Sequence, residues 1–228
     1  MLMEEGVIKP QQCDVFLQDK LNYFFVGRPA YKYNSDSGQA DHWELPCVFI
    51  FESQEIGGIK RIFPFDSGAF AGKRYPSYIA GMPIENFEVS GADAPGKLIG
   101  AFFGSARRYL DMQPKGREEF EAEYSISPLD AELSAASRLA GEGTIRTFDD
   151  RRFSIEIQSE QEVHLASTKP IAVVIPEIYL GVDGVMDKIQ VDWQAEALGY
   201  PMHSLSLDNY YGLIYKEVFD FYTRRGFI

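Results

Sequence analysis

Two stretches rich in β-branched and aromatic residues, 22–63 and 152–175, flank a helical middle, and this order constrains the fold more than any other feature of the chain. In the first stretch Tyr23-Phe-Phe-Val26 is closed by Gly27-Arg28-Pro29, and Cys47-Val-Phe-Ile-Phe51 is separated from Ile59–Phe63 by Gly57-Gly58. Runs of this composition bounded by Gly and Pro predict strands, the last two joined as a hairpin. In the second stretch Phe153, Ile155 and Ile157 alternate with Ser154, Glu156 and Gln158, which places the two sets on opposite faces of a strand. Glu162–Leu165 reads as a short partner strand, and Ile171–Ile175 as a buried strand ended by Pro176. Between the stretches, Leu98, Ile99, Phe102, Phe103, Ala106, Tyr109 and Leu110 trace one apolar helical stripe, with Asp93 as its expected cap and Pro95 in its first turn. A second helix is predicted over Pro128–Ala140, stopped by Gly141, and a last one opens at Asp208 and ends at Gly226. The strict strand–helix alternation of a doubly wound sheet is missing. The expected fold class is therefore α+β: a single domain over 1–228, with a split, mixed or antiparallel sheet built from both ends of the chain and flanked by helices.

Composition narrows the functional classes. A length of 228 residues is close to one domain of roughly 100–200, and 45% hydrophobic with 14% aromatic residues supplies a sizeable core. The 22 basic residues stand against 34 acidic ones, a formal charge of −12, which argues against nonspecific binding to duplex nucleic acid or an anionic membrane. Apolar runs such as Ile171–Ile175 are far shorter than the roughly 20 residues that span a bilayer, and Met1–Gly6 lacks signal-peptide character. The expected location is cytoplasmic. Cys13 and Cys47 form no CxxC pair and His42, His164 and His203 are scattered, so a four-ligand zinc site is not expected. The two cysteines are read as free thiols or as one disulfide.

The segment 64–96 is dense in Gly, Pro and Ser, with Tyr75 and Tyr78 interspersed. It reads as a long irregular loop, and such loops in compact domains often border a ligand site.

Three short segments offer chemistry. Arg28 ends the first strand beside Gly27, where a guanidinium fork suits a phosphate or carboxylate. Asp66-Ser67-Gly68 sets small polar groups among large apolar ones, as either a site or a tight turn. Glu156 stands in mid-strand between apolar neighbours, on a polar face that is either functional or solvated. This succession of early-strand Arg, mid-chain Ser and late-strand Glu resembles the ADP-ribosyltransferases of the Arg–Ser–Glu type. The resemblance implies NAD-dependent transfer of ADP-ribose to a macromolecular acceptor, in the manner of a toxin or defence-type effector. It implies that Arg28 holds the pyrophosphate or ribose of NAD and that Ser67 orders the nicotinamide pocket. Tyr75 or Tyr78 would stack on the ring, and Glu156 would stabilise the oxocarbenium-like cation as nicotinamide leaves. The chain departs from the family pattern where Pro29 follows Gly27-Arg28, where the serine stands in Asp-Ser-Gly, and where Gln158 replaces a second acid. Ser154 precedes the glutamate, so the acceptor is not carried over.

Two other classes remain open. Asp130 with Glu156-Ile157-Gln158 loosely imitates a nuclease site in which paired carboxylates hold Mg²⁺, although Asp130 equally suits a helix start. A non-catalytic interaction or assembly module is the third reading, its acidic surface meeting a basic partner.

Overall fold

The computed structural model describes residues 5–30, 44–141, 150–202 and 207–228. Residues 34–41, which the Asn, Ser, Asp and Gly content of the sequence marks as a loop, lie outside these residues, as do His42, His203 and the side chain of Asp208. Nine strands are described: β1 Val7–Ile8, β2 Gln11–Gln12, β3 Lys20–Phe25, β4 Val48–Ile50, β5 Ile59–Phe63, β6 Glu156–Ser159, β7 Val163–His164, β8 Ala172–Pro176 and β9 Glu196–Tyr200. With the helices between and after them they make an α+β architecture. The two strand-rich stretches pair with each other, β3 and β5 with β6 and β4 with β8, but the expected hairpin does not form: β4 and β5 belong to different sheets, each taking its partner from the second stretch.

The chain divides into two compact units, and neither is a contiguous half. One comprises Gln11–Ala30 and Ile59–Glu160; the other comprises Met1–Pro10, Tyr31–Gly58 and Gln161–Ile228.

In the second of these, β8 lies between antiparallel β4 and parallel β9, giving a mixed three-stranded sheet. The terminal helix, Leu207–Arg224, sends Tyr210, Ile214, Val218 and Phe221 into the cluster formed by Ala172, Val174 and Leu198. Burying each such large side chain contributes roughly 1.5–3 kcal/mol. The Tyr200 hydroxyl donates to the Pro46 carbonyl at 2.8 Å, satisfying the polar end of a ring that is otherwise in the core. Strand β9 is not anticipated by the sequence pattern, because Gly199 interrupts a short run. Its glycine has a packing cause: a Cβ there would stand 2.7 Å from Leu180 Cδ1 and 2.8 Å from Glu177 Cγ. A separate pair, β1 with β7, is antiparallel, and His164 on it is exposed beside Glu162 rather than packed.

In the other unit the order is β2-β3-β6-β5, all antiparallel, with β6 in the interior. Around this sheet the helical middle differs from the expected single stripe. It breaks into Ala94–Phe103 and Ala106–Leu110, because Gly104 takes φ 82° and closes the first helix with its amide on the Ile99 and Gly100 carbonyls. Ser105 then caps the second, its Oγ accepting from the Arg108 amide at 3.2 Å. Asp93 makes no side-chain cap; it pairs with Lys97 instead. The helix Ala131–Gly141 follows its expected range closely, and Asp130 at its start accepts from the Ser127 amide at 2.8 Å.

The segment 64–96 is not irregular. It holds the helices Ser67–Ala71 and Ser77–Ala80 and a 3₁₀ turn at Ile84–Phe87. Phe65 stacks on Phe70 at 5.4 Å and meets Phe87 edge-on at 5.1 Å, so the segment carries its own aromatic core. Cys13 and Cys47 are free thiols. Among the described residues no helix is long and apolar enough to cross a membrane.

Candidate functional site

The site is built on β6. Antiparallel register sets Tyr23 and Arg61 opposite Gln158, and Phe25 and Phe63 opposite Glu156. Directly opposed residues share a face, so these six side chains form one patch in which polar groups sit among rings. The alternation read from Phe153 onward holds only in part: Phe153 closes a 3₁₀ turn over Asp150–Phe153, the strand begins at Glu156, and its polar face is not solvated, since all four residues of β6 are buried. Two segments cover that face. Phe16 stacks on Phe63 at 5.9 Å, and the Tyr23 hydroxyl donates to Cys13 Sγ at 2.7 Å, which seats the Cys13–Phe16 stretch over it. The start of the helix Ser67–Ala71 meets the same face, where Ser67 bonds to Glu156.

Glu156 is 1% exposed and fully engaged. Ser67 donates to it twice, from Oγ to Oε1 at 2.7 Å and from the backbone amide to Oε2 at 3.1 Å. The Gln158 amide donates to the same Oε1 at 2.7 Å and to Ser67 Oγ at 3.1 Å. The Ser67 amide is available because helix-start amides have no intrahelical acceptor. Asp66 holds the turn in place, its Oδ1 accepting from the Ala69 amide at 2.7 Å and its own amide donating to the Arg151 carbonyl at 3.0 Å. Burial pushes the Glu156 carboxyl up to about 7, against the bonds from Ser67 and Gln158 that favour its ionised form, while the negative charge of Asp66 raises it further. The result is a carboxylate that exchanges its proton near neutrality.

Arg28 reaches the same end of the sheet. Gly27 adopts φ 65°, which turns the chain after β3, and the Arg28 guanidinium then lies 4.6 Å from the centroid of Tyr109 and 4.9 Å from that of Phe153. The Tyr109 hydroxyl fixes this corner by donating to the Val26 carbonyl at 2.8 Å and accepting from the Ile155 amide at 3.1 Å. Arg152 joins Arg28 at the Phe153 ring, 5.2 Å from its centroid. Its buried Nε and Nη1 have no hydrogen-bond partner among the described residues. In the sequence Arg152 reads only as part of a charged turn; no local signal marks it as part of a cationic pair.

The expected residues therefore separate into groups. Ser67 and Glu156 are in direct contact, and Arg28 stands at the sheet end from which β6 begins. Tyr75 is buried scaffold: its single hydroxyl proton is shared between the carbonyls of Arg151 at 2.9 Å and Asp66 at 3.1 Å, and its ring meets Phe65 edge-on. Tyr78 lies under the Arg138 guanidinium at 3.9 Å. Among the described residues no three His, Cys, Asp or Glu side chains gather where they could hold a metal ion. Gln158, read in the sequence as standing where the family has a second acid, is bonded to Glu156 itself, and Arg61 joins the site unannounced, since its part depends on strand register.

Comparison of this chain with protein-family models, with curated proteins and with solved structures found no match.

Proposed function

We propose that the chain transfers ADP-ribose from NAD to a macromolecular acceptor, with Glu156 at the centre of the reaction. The observation that carries this reading is the bond between Ser67 and Glu156, two residues 89 apart in sequence that the fold joins at 2.7 Å. Arg28 and Arg152, both against Phe153, supply positive charge for a pyrophosphate. In the transfer, the bond between ribose C1′ and the nicotinamide nitrogen breaks and its electron pair leaves with nicotinamide. Ionised Glu156 stabilises the cation that develops on the ribose, a fixed charge opposite a developing one. The acceptor's nucleophile then bonds to C1′ and its proton passes to solvent water. Ser67 and Gln158 orient the carboxylate throughout. Because Glu156 is 1% exposed, turnover on this reading requires its cover to open as NAD enters.

A second reading, a non-catalytic interaction module, is favoured by the completeness of that enclosure: three donors and almost no exposure also describe a buried polar lock. Incubation with labelled NAD and mixed protein and nucleic-acid acceptors separates the two. Label transfer by the parent and weakened NAD binding by Arg28→Ala support ADP-ribosyl transfer. No NAD binding at millimolar concentration, with a stable partner recovered instead, supports the module.

A further inference from the structure

Gln158 can place its amide oxygen and nitrogen in either of two nearly identical positions, and only one suits an ionised Glu156. With Nε2 toward Glu156 it donates at 2.7 Å; reversed, an oxygen would face the carboxylate oxygen at the same separation. The selection is made from the far side of the amide. Arg61 Nη1 donates to Gln158 Oε1 at 3.3 Å, and a guanidinium carries donors only, so the oxygen is held toward Arg61. Arg61 is fixed in turn: its Nη2 pairs with Asp19 Oδ2 at 2.7 Å, its plane lies 4.0 Å over Phe16, and Glu88 approaches its Nε at 3.9 Å. Asp19 is further held by Lys60 at 2.9 Å.

We infer that the Asp19–Arg61 pair is a positioning device for Glu156, acting through the Gln158 amide. A mostly buried ion pair at the rim of the sheet, its side chains 18% and 12% exposed, thereby governs the proton of a carboxyl buried two links away. The other groups that bear on Glu156 are Asp66, which opposes its ionisation, the two donors of Ser67, and the Tyr23 hydroxyl, whose own ionisation burial and Cys13 suppress. Of these, Ser67 meets the Gln158 amide at its nitrogen, whereas Arg61 holds its oxygen. Removing Arg61 frees the amide to turn and takes a cation away, and both changes favour the protonated acid. The importance of this for catalysis rests on the function proposed above, but the positioning itself does not.

The test is made on the protein alone, following the Glu156 side-chain carboxyl by carbon NMR, assigned with Glu156→Gln. In Arg61→Met its titration midpoint is expected to rise by about one pH unit, a tenfold gain in proton affinity. In a Gln158→Met background the same Arg61 substitution is expected to add little, because the link is already cut. Equal shifts in both backgrounds would mean that Arg61 acts only as a distant charge, and an unchanged midpoint would mean that it does not act at all; either overturns the inference. In the unmodified protein, which needs no variant to fold, the Arg61 guanidinium resonances should move with the Glu156 midpoint. Their indifference to that titration also overturns it. NAD turnover enters none of these measurements, so failure of the transfer reading and failure of this one are distinguishable.

Discussion

Glu156→Gln should remove a specific pH dependence of stability. In the folded protein the carboxyl titrates at about 7, whereas its ordinary value is 4.5. The folded state therefore binds this proton more tightly than the unfolded chain does. Below pH 4.5 both states are protonated and the group costs nothing. As pH rises towards 7 the unfolded chain ionises first, so folding stability falls; above 7 both are ionised and the deficit stays constant. A difference of this size corresponds to about 3 kcal/mol lost across the window. The glutamine has no proton to lose and cannot show it. Its amide also turns a donor towards the Ser67 amide or the Gln158 amide, so the variant starts less stable than the parent in acid, by about 1–3 kcal/mol for an imperfectly paired buried group. Urea unfolding of parent and variant at intervals between pH 4.5 and 8, taken as a difference, cancels the exposed carboxylates common to both. The parent's advantage at low pH should shrink steadily as pH rises. A difference that is flat, or that grows with pH, would refute the buried-acid assignment of Glu156.

Ser67→Ala removes the Oγ donor but keeps the backbone one, and should cost about 1–3 kcal/mol at pH 8 and less at pH 5, where the acid is neutral; thermal melts at the two pH values read this directly. Gly199→Ala places a methyl against Leu180 and Glu177 and should destabilise the mixed sheet by about 1–3 kcal/mol in urea unfolding. Tyr109→Phe leaves the Val26 carbonyl and the Ile155 amide without their shared hydroxyl, and the Ile155 amide should then exchange its hydrogen about tenfold faster or more.

What the sequence discloses and what it hides follow a physical division. Period is local, so the strand around Glu156–Gln158 and the terminal helix are legible and recur in the structure, although the strand starts three residues later than its alternation suggests. Cover is not local. The face bearing Glu156 and Gln158 reads as polar and open, yet the Cys13–Phe16 stretch and the helix start at Ser67 come from elsewhere to bury it. The break at Gly104-Ser105 was available in principle, as a glycine stop followed at once by a serine cap, but a continuous apolar stripe overrode it. In the segment 64–96 the Gly and Pro content masks the spacing of Phe65, Phe70, Tyr75 and Phe87, which pack together. Of the site, Arg28, Ser67 and Glu156 were legible as residue types in suggestive places. Gln158 was legible as a neighbour of Glu156 on one face, but the parts played by Arg61 and Arg152 depend on register and turn geometry that a linear reading does not contain.

The pH profile of label transfer from NAD, for the parent and for Glu156→Gln side by side, bears most directly on the assignment of Glu156 as the catalytic centre. Transfer by the parent should rise as pH passes through about 7, when the carboxyl ionises. Glu156→Gln should retain NAD binding, fall by roughly 10²–10³ in rate, and show no such rise. Full transfer by Glu156→Gln, or a parent that binds no NAD at any pH in the range, would contradict it.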